Sequence, residues 1–280
     1  MSPDPRVTQA RSDLASVDLE GVLRAPRFAD PLPRRVVVPS AMLRAGPGPG
    51  AVQTSQVIFG ERFDALETQG AFVWGQAVRD GYVGWLPAAA LSSEILEPTH
   101  RVIALRTFAF ADPSIKSAPF GPLSLNALVT VNQTNDALSQ ARTAGWIATA
   151  HLAPIGEAFV EPATTAERFL GTPYLWAGRD SIGLDCSGLV QQAFWAAGLT
   201  CPRDSDQQSI LGVEVSPEAL ERGDLVFWRG HVGMMLDADR LIHANGHHMA
   251  VTIEPLPEVV ARTLAKGEGG PTAFRRWRGF

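Results

Sequence analysis

The stretch LDCSGLVQQAFWAAGL, residues 184–199, contains one of the two cysteines of a 280-residue chain. Apolar residues recur after this cysteine at helical spacing, and Gly198 is a typical helix end. The pattern predicts a helix over residues 187–197, with Cys186 at or just before its first turn. A helix N-terminus favours a thiolate because its free amides and its dipole stabilise negative charge. Cys186 is therefore either a candidate nucleophile or a small apolar residue that begins a buried helix.

Two histidines further along the chain are candidates for the base that a nucleophilic cysteine needs. The runs GDLVFW, HVGMML, RLIHAN and MAVTIEP predict four consecutive antiparallel strands. His231 begins the second run and His243 lies in the third, so adjacent strands would bring the two rings together. His231 would then take the thiol proton, and His243 would orient the imidazole of His231.

A metal site is the alternative interpretation of the same side chains. Cys186, His231 and His243 could bind a metal together with His247 and His248, but the short paired-ligand spacings of zinc sites are absent. Cys201 lies in a loop with no base nearby and is expected to be a packing residue. We therefore expect neither a metal nor a cofactor.

The chain ahead of residue 157 has a different pattern. Residues 1–33 contain the helical pattern ARSDLASVDLEGVL, which predicts a short helix followed by a proline-rich linker. Residues 34–96 consist of short β-branched and aromatic runs separated by Gly or Pro, which is typical of a small β-barrel. Residues 98–153 repeat the same order in degenerate form and suggest a duplicated β module. The expected fold class is α+β, with two small β-barrels followed by a mixed domain over residues 157–280.

Composition and charge exclude several classes of protein. The net charge is −5, with 24 Lys and Arg against 29 Asp and Glu, which argues against a nucleic-acid partner. No apolar run approaches the roughly 18–20 residues of a membrane span. The first residues, MSPDPRVTQARSDL, lack the apolar segment of a signal peptide, so a cytoplasmic protein is expected.

The order of these motifs resembles the NlpC/P60 family of papain-like cysteine peptidases. The resemblance covers about residues 160–255 and rests on GTPYLWAGRDSIGLDCSGLVQQAFWAAG, RGDLVFW, GHVGMML and RLIHAN. It implies a catalytic triad of Cys186, His231 and His243. It also implies that Tyr174 lies near the thiol and positions the nucleophile or the substrate. Most members of the family have Gly-Gly after the tryptophan of this motif, whereas this chain has Ala177 and Gly178.

Two SH3-like modules ahead of such a domain resemble the subgroup that acts on peptides with a free N-terminal L-alanine. The resemblance implies hydrolysis of peptidoglycan stem peptides between γ-D-glutamate and a diamino acid such as meso-diaminopimelate. The partner would then be a wall-derived peptide, and L-Ala-γ-D-Glu would be released during cell-wall recycling.

The same resemblance implies substrate-binding residues. Asp185 and Ser187, on either side of the cysteine, would line the pocket for the N-terminal residue, with the carboxylate pairing with the substrate ammonium. Glu61 and Tyr82 are the best matches for a glutamate and a tyrosine that the first barrel contributes. Glu61 could equally be a solvated turn residue.

Two alternative functions remain open at this stage. An amidase or acyltransferase could use the same fold and the same cysteine. A non-catalytic module that binds a wall peptide would keep the barrels but would be expected to have a degraded triad, whereas all three positions here carry competent residues.

Overall fold

The structure is a computed structural model of the chain, and it describes residues 3–135, 137–157 and 159–277. The chain divides into two compact units, an N-terminal unit (Met1–Glu157) and a C-terminal unit (Ala158–Phe280). In the described residues, the N-terminal unit consists of strands and short 3-10 turns, and the C-terminal unit combines helices with a sheet. The predicted α+β class is therefore confirmed. None of the described helices is both long enough and apolar enough to cross a bilayer.

The helix predicted for ARSDLASVDLEGVL is wrong. The segment and the linker after it contain two short strands and a 3-10 turn, namely β1 (Ala15–Ser16), β2 (Phe28–Ala29) and Val17–Leu19. The two strands pair in parallel. Leu14 is fully buried against Trp74 and Trp85 of the first barrel. Its apolar side chain therefore anchors an extended segment, an arrangement that a few apolar residues at helical spacing do not exclude.

The β-barrel predicted for residues 34–96 is present. Its strands are β3 (Leu32–Val36), β4 (Ser40–Arg44), β5 (Gln53–Ile58), β6 (Arg62–Gln69), β7 (Phe72–Ala77), β8 (Val83–Pro87) and β9 (Leu91–Ser92). They form a seven-stranded antiparallel sheet in the order β5-β4-β8-β7-β6-β3-β9. Alternate side chains point into one apolar core, which includes Val36, Leu43, Phe63 and Leu86.

The second β module continues directly from the first. Its strands are β10 (His100–Val102), β11 (Arg106–Phe110), β12 (Pro119–Ser124), β13 (Leu128–Val129), β14 (Val131–Thr134), β15 (Leu138–Ala141), β16 (Gly145–Ala148) and β17 (Leu152–Pro154). They form two sheets, in the orders β12-β11-β16-β15-β14 and β13-β10-β17. Ile58 and Phe59 of the first barrel belong to its core, so the two modules share buried surface. In both modules an aromatic strand leads through a 3-10 turn into a short strand, at Ala88–Ala90 and at Thr149–His151.

The C-terminal unit contains the helix and the four strands predicted for it. Its elements are α1 (Pro162–Glu167), α2 (Cys186–Ala196), α3 (Ser205–Gln208), β18 (Val213–Glu214), β19 (Leu225–Trp228), β20 (His231–Met235), β21 (Arg240–Asn245), β22 (Ala250–Pro255), α4 (Leu256–Ala265) and β23 (Ala273–Arg276). The strands form one antiparallel sheet in the order β18-β23-β19-β20-β21-β22. Every residue of α2 is buried, because the helix packs against β20 and β21 as well as against α1. This packing brings the start of α2 to the strands that carry His231 and His243.

Candidate active site

Cys186 is the first residue of α2 and is 8% exposed. Asp185 caps the helix, since its Oδ1 accepts a hydrogen bond from the Gly188 amide at 2.8 Å. The backbone N–H groups of Ser187 and of Val232, on β20, donate to the sulfur and favour the thiolate. The nucleophile predicted from the helix pattern is therefore held where α2 meets β20.

The two predicted histidines lie together on neighbouring strands. His231 begins β20 and is partly exposed, whereas His243 on β21 is fully buried. Nε2 of His231 lies 2.8 Å from Nδ1 of His243. Because Val232 donates to the Cys186 sulfur, His231 directly precedes a residue in contact with the thiol. The structure thus brings Cys186, His231 and His243 to one place.

A carboxylate that the sequence analysis did not single out lies behind His243. Glu254 on β22 is 8% exposed, and its Oε2 lies 2.7 Å from Nε2 of His243. Arg262 on α4 donates to both oxygens of this carboxylate, at 2.6 Å and 2.9 Å. His248 adds a longer contact, with Nε2 3.3 Å from Oε1. The hydrogen bonds from His243 and Arg262 hold the pKa of Glu254 well below its ordinary value, so the carboxylate is ionised.

The ionised carboxylate fixes where the protons of the two histidines lie. A carboxylate only accepts hydrogen bonds, so Nε2 of His243 carries a proton, and in the tautomer with its proton on Nε2 the ring presents Nδ1 as an acceptor. His231 then donates its Nε2 proton to His243, which leaves Nδ1 of His231 unprotonated. That nitrogen can accept a proton, as the base for the candidate nucleophile Cys186 must.

Burial sets the resting charges of Cys186 and His231, the candidate nucleophile and base. Burial, together with the negative charge of Asp185, raises the pKa of the Cys186 thiol to about 12, against the opposing effect of the two amides and of Arg203. Burial and the neighbouring His243 lower the pKa of His231 to about 3. At neutral pH the resting site therefore holds a thiol and a neutral imidazole, and His231 can act as a base when substrate is attacked.

Asp185 and Ser187, predicted to bind substrate, form a buried network with Arg203. The Arg203 guanidinium donates to Oδ1 and Oδ2 of Asp185 at 3.0 Å and 2.7 Å, and to Oγ of Ser187 at 2.8 Å. The Ser187 hydroxyl donates to Oδ1 at 3.2 Å, and the Ala177 amide donates to Oδ2 at 2.9 Å. The carboxylate therefore ties the start of α2 to two other segments of the unit. The substrate role of both residues stays a prediction.

Tyr174 lies near the thiol, as the resemblance implied. Burial, with Cys186 and Asp185 close by, raises the pKa of its hydroxyl well above the ordinary value. The side chain is half-buried, and its backbone N–H donates to the Met249 carbonyl at 2.9 Å. Tyr174 is therefore a protonated O–H group, able to donate a hydrogen bond beside the nucleophile.

The departure at Ala177 puts an alanine where the backbone conformation favours glycine. Its φ of 60° lies in the left-handed region, which glycine adopts without steric cost and which strains an alanine. At Gly178 a Cβ would meet the Gly183 carbonyl oxygen at 2.5 Å, so glycine is required there for space. The alanine keeps the amide that binds Asp185, at a cost in backbone strain.

Glu61 and Tyr82 lie in the N-terminal unit, and both are buried. Glu61 is 1% exposed, with Oε1 3.0 Å from Nη1 of Arg79 and Oε2 accepting from the Ile58 amide at 3.1 Å. The alternative of a solvated turn residue is therefore wrong. Arg79 also donates to the Asn126 carbonyl, which links the two β modules. Tyr82 is 7% exposed and belongs to the core of the first barrel. A role in substrate binding stays a prediction for both residues.

Within residues 3–135, 137–157 and 159–277, no cluster of three or more His, Cys, Asp or Glu side chains has the arrangement of a metal site. Cys201, the second cysteine, is 2% exposed, and its sulfur accepts from Nε2 of Gln208 at 3.4 Å. The packing role expected for it agrees with these contacts.

Comparison with known proteins follows the division of the chain. The NlpC/P60 family matches residues 171–264, and the bacterial dipeptidyl-peptidase Sh3 domain matches residues 43–91. A gamma-D-glutamyl-L-lysine dipeptidyl-peptidase of Bacillus cereus is 41% identical over 100 residues, which is 33% of this chain and 30% of that protein. The protein of the same name from Bacillus subtilis is 27% identical over 230 residues, 75% of this chain and 77% of that protein.

A solved structure supports the same assignment at the level of the fold. The crystal structure of an NlpC/P60 family protein from Bacillus cereus superposes with a TM-score of 0.75 at 23% identity, over 88% of this chain and 99% of that chain. The chain therefore contains a domain of the NlpC/P60 family of cysteine peptidases over residues 171–264, together with a bacterial dipeptidyl-peptidase Sh3 domain over residues 43–91.

Proposed function

We propose that the protein is a cysteine endopeptidase that hydrolyses the γ-D-glutamyl–diamino acid bond of peptidoglycan stem peptides with a free N-terminal L-alanine. The observation that carries this proposal is the placement of Cys186 at the start of α2, where its sulfur accepts from the Val232 amide next to His231, together with the contacts from His231 through His243 to Glu254. The names of the two Bacillus relatives support the choice of bond.

In the first half of the reaction, Nδ1 of His231 takes the Cys186 proton as the sulfur attacks the γ-carbonyl carbon of D-glutamate. The resulting oxyanion accepts hydrogen bonds from the backbone N–H of Cys186 and from the Tyr174 hydroxyl. His231, now an imidazolium, is stabilised through His243 by the Glu254 carboxylate. It returns its proton to the amine of the diamino acid as the C–N bond breaks, which leaves a thioester on Cys186.

Water completes the reaction at the same base. His231 removes a proton from a water molecule that attacks the thioester carbonyl, and the Cys186 sulfur leaves and regains a proton. The products are L-Ala-γ-D-Glu and the peptide or amino acid that begins with the diamino acid. One histidine thus serves as base and then as acid in both halves, because it is neutral at rest and gains a proton only as the nucleophile attacks.

Recognition of the free N-terminus is proposed for Asp185, Ser187, Glu61 and Tyr82 on the resemblance. Asp185 already accepts from Arg203 and from backbone amides, so a substrate ammonium would share this carboxylate. A requirement for a free amine would restrict the enzyme to peptides released from the wall. We propose on this basis a role in cytoplasmic cell-wall recycling, which subcellular fractionation would test.

The test of the proposed bond and of the free amine uses two peptides. The protein is incubated with L-Ala-γ-D-Glu-meso-diaminopimelate and with its N-acetylated form, and the products are identified by mass spectrometry. We expect L-Ala-γ-D-Glu from the first peptide and a large loss of rate with the second. Equal rates would overturn the free-amine requirement. If neither peptide is cleaved but an N-acetylmuramoyl tripeptide assayed in parallel releases the intact tripeptide, the protein is an amidase.

The nucleophile is tested by exchanging each cysteine in turn. Cys186→Ala removes the attacking atom, so hydrolysis should fall to background while the circular dichroism spectrum is unchanged. Cys201→Ala is the matched control and should keep its activity, since its sulfur contacts Gln208 and the neighbouring Pro202 carbonyl and is not assigned a part in the reaction. Hydrolysis by Cys186→Ala at the wild-type rate would refute the proposed mechanism.

A further inference from the structure

The C-terminal unit has a cavity of about 420 Å³ beside His231. It lies between the turn that joins β19 to β20, the end of β21 and the last turns of α4. His231 and His243 line it together with four charged side chains, namely Arg229, Arg262, Lys266 and Glu268. Its volume falls within the range of small-molecule sites.

The position of the cavity identifies the part of the substrate that it would hold. In the proposed reaction the acyl part of the substrate is bonded to Cys186, and the leaving amine receives its proton from His231. The substituents of that amine must therefore lie on the side of His231. The described residues that line the cavity include none from α2 or from the segment 171–185 that surrounds the thiol. In the proposed reaction the cavity would therefore take the group on the leaving side of the scissile bond.

The charges that line the cavity favour an anion. Arg229 and Lys266 are exposed, and neither side chain has an ion-pair partner among the described residues. Arg262 is engaged by Glu254. Glu268 contributes one negative charge. With Arg262 already paired, the charges of Arg229, Lys266 and Glu268 give the cavity a net charge of about +1. An arginine fork and a lysine ammonium around a concave surface are suited to a carboxylate.

We propose that this cavity binds the side-chain carboxylate of the leaving diamino acid, so that the enzyme prefers a diamino acid with a terminal carboxylate, such as meso-diaminopimelate, over lysine. Lysine offers the cavity an ammonium without a carboxylate, which Arg229 and Lys266 repel. This inference rests on the proposed function, since it takes the leaving group to be a diamino acid.

The test compares kcat/KM for L-Ala-γ-D-Glu-meso-diaminopimelate and L-Ala-γ-D-Glu-L-Lys. Both peptides end in the same α-carboxylate, so the ratio of the two values isolates the side-chain carboxylate. We expect the wild-type protein to favour the diaminopimelate peptide roughly fivefold or more, the scale of one or two partly exposed ion pairs. Arg229→Gln combined with Lys266→Gln should bring the ratio toward one, and Glu268→Gln should raise it.

Arg240→Gln is the matched control. It removes one positive charge from the opposite end of β21, where the side chain pairs with Asp237, and should leave the ratio at its wild-type value. Both peptides cleaved with a wild-type ratio of one or below would overturn the inference and leave the proposed function standing. A ratio that the Arg229 and Lys266 changes do not move would also overturn it. Cleavage of neither peptide would refute the proposed function, and the inference with it.

Discussion

Asp185 and Glu254 are both buried carboxylates that form a bidentate ion pair with an arginine, but their other contacts differ. Asp185, paired with Arg203, directly precedes Cys186 in the chain, and its remaining partners are two backbone amides and the Ser187 hydroxyl. Glu254, paired with Arg262, lies behind His243, and its closest other partner is the imidazole of that residue. One carboxylate therefore holds backbone, whereas the other holds a ring that carries a proton.

This difference separates two ways of supporting an active site. A carboxylate bound to backbone amides fixes the position of the adjacent Cys186, so its removal should mainly lower the free energy of unfolding. A carboxylate bound to an imidazole fixes which nitrogen is protonated and compensates the charge that forms during the reaction, so its loss should be felt first in kcat. Exchanging the two carboxylates one at a time tests this separation.

The largest effect is expected for Asp185→Ala. The change leaves the guanidinium of Arg203, whose side chain is 1% exposed, without its carboxylate and removes the cap of α2. We expect the free energy of unfolding of the C-terminal unit to fall by about 3–5 kcal/mol. Urea unfolding measures this loss, and hydrogen exchange of the α2 amides reports whether it arises in this helix.

Glu167→Ala is the control for that experiment. Glu167 pairs with Arg222 at the surface, where both side chains are about 40% exposed, so the loss should be about 0–1 kcal/mol. A loss for Asp185→Ala as small as for this control would remove the structural half of the comparison.

The next effect is expected for Glu254→Gln. The neutral side chain no longer compensates the imidazolium on His231, and its amide can donate to His243 and so reverse the order of protons. We expect kcat to fall about 10- to 100-fold, as for other partners that orient a functional imidazole, with KM nearly unchanged. Steady-state kinetics on the tripeptide separates the two constants, and ¹⁵N NMR of the histidine rings reports the tautomer of His243.

His248→Gln is the matched control for this variant. His248 contacts the same carboxylate at 3.3 Å but does not contact His243, so kcat should stay at the wild-type level. If Glu254→Gln raised KM alone, or left the tautomer of His243 and kcat unchanged, the carboxylate would have no role in proton placement.

The parts of the site that the sequence predicts are those that depend on local pattern. The helix expected over residues 187–197 is observed at Cys186–Ala196, because apolar spacing and a following glycine are local signals. The hairpin that joins His231 to His243 follows from alternating apolar runs. Asp185 and Ser187 were singled out by the family resemblance, which places substrate-binding residues on either side of the cysteine.

The parts that the sequence analysis missed depend on register and on loops. Glu254 reaches His243 because β21 and β22 pair with His243 opposite Thr252, which places Glu254 two residues away along the strand. No local pattern in MAVTIEP fixes that register. Arg203 comes from the loop between α2 and α3, where no periodicity exists to place it. The helix predicted around Leu14 was wrong for a different reason. Helical spacing was present, but Leu14 packs on an apolar surface of the barrel as part of an extended segment.

A smaller effect is expected from a change of pH, which alters the free energy of unfolding through His231. The pKa of His231 is about 3 in the folded protein, below the ordinary value of 6.5, so the unfolded chain binds its proton more readily. Stability from this residue is complete above pH 6.5 and is lost as the pH falls toward 3. Between pH 7 and pH 5 the free energy of unfolding should fall by about 1–2 kcal/mol on account of His231.

His231→Gln isolates this contribution from those of His100 and His247, whose pKa values are also lowered. Urea unfolding at pH 7 and pH 5 should show a smaller loss of stability for the variant than for the wild type. Glu254, with its pKa held low, stays ionised over this range and does not obscure the difference. Identical losses for the two proteins would mean that His231 is not held neutral by burial.

The smallest effect is expected at Ala177, whose amide donates to Asp185. At its φ of 60° an alanine is strained and a glycine is not, whereas glycine costs more entropy on folding. The strain is the larger of the two contributions, so Ala177→Gly should raise the free energy of unfolding by about 0.5–1 kcal/mol. Gly178→Ala is the matched opposite, since its new Cβ would meet the Gly183 oxygen at 2.5 Å and should destabilise the unit. A loss of stability in Ala177→Gly would contradict this prediction. It would mean that packing of the Ala177 methyl group stabilises the unit by more than the backbone strain destabilises it.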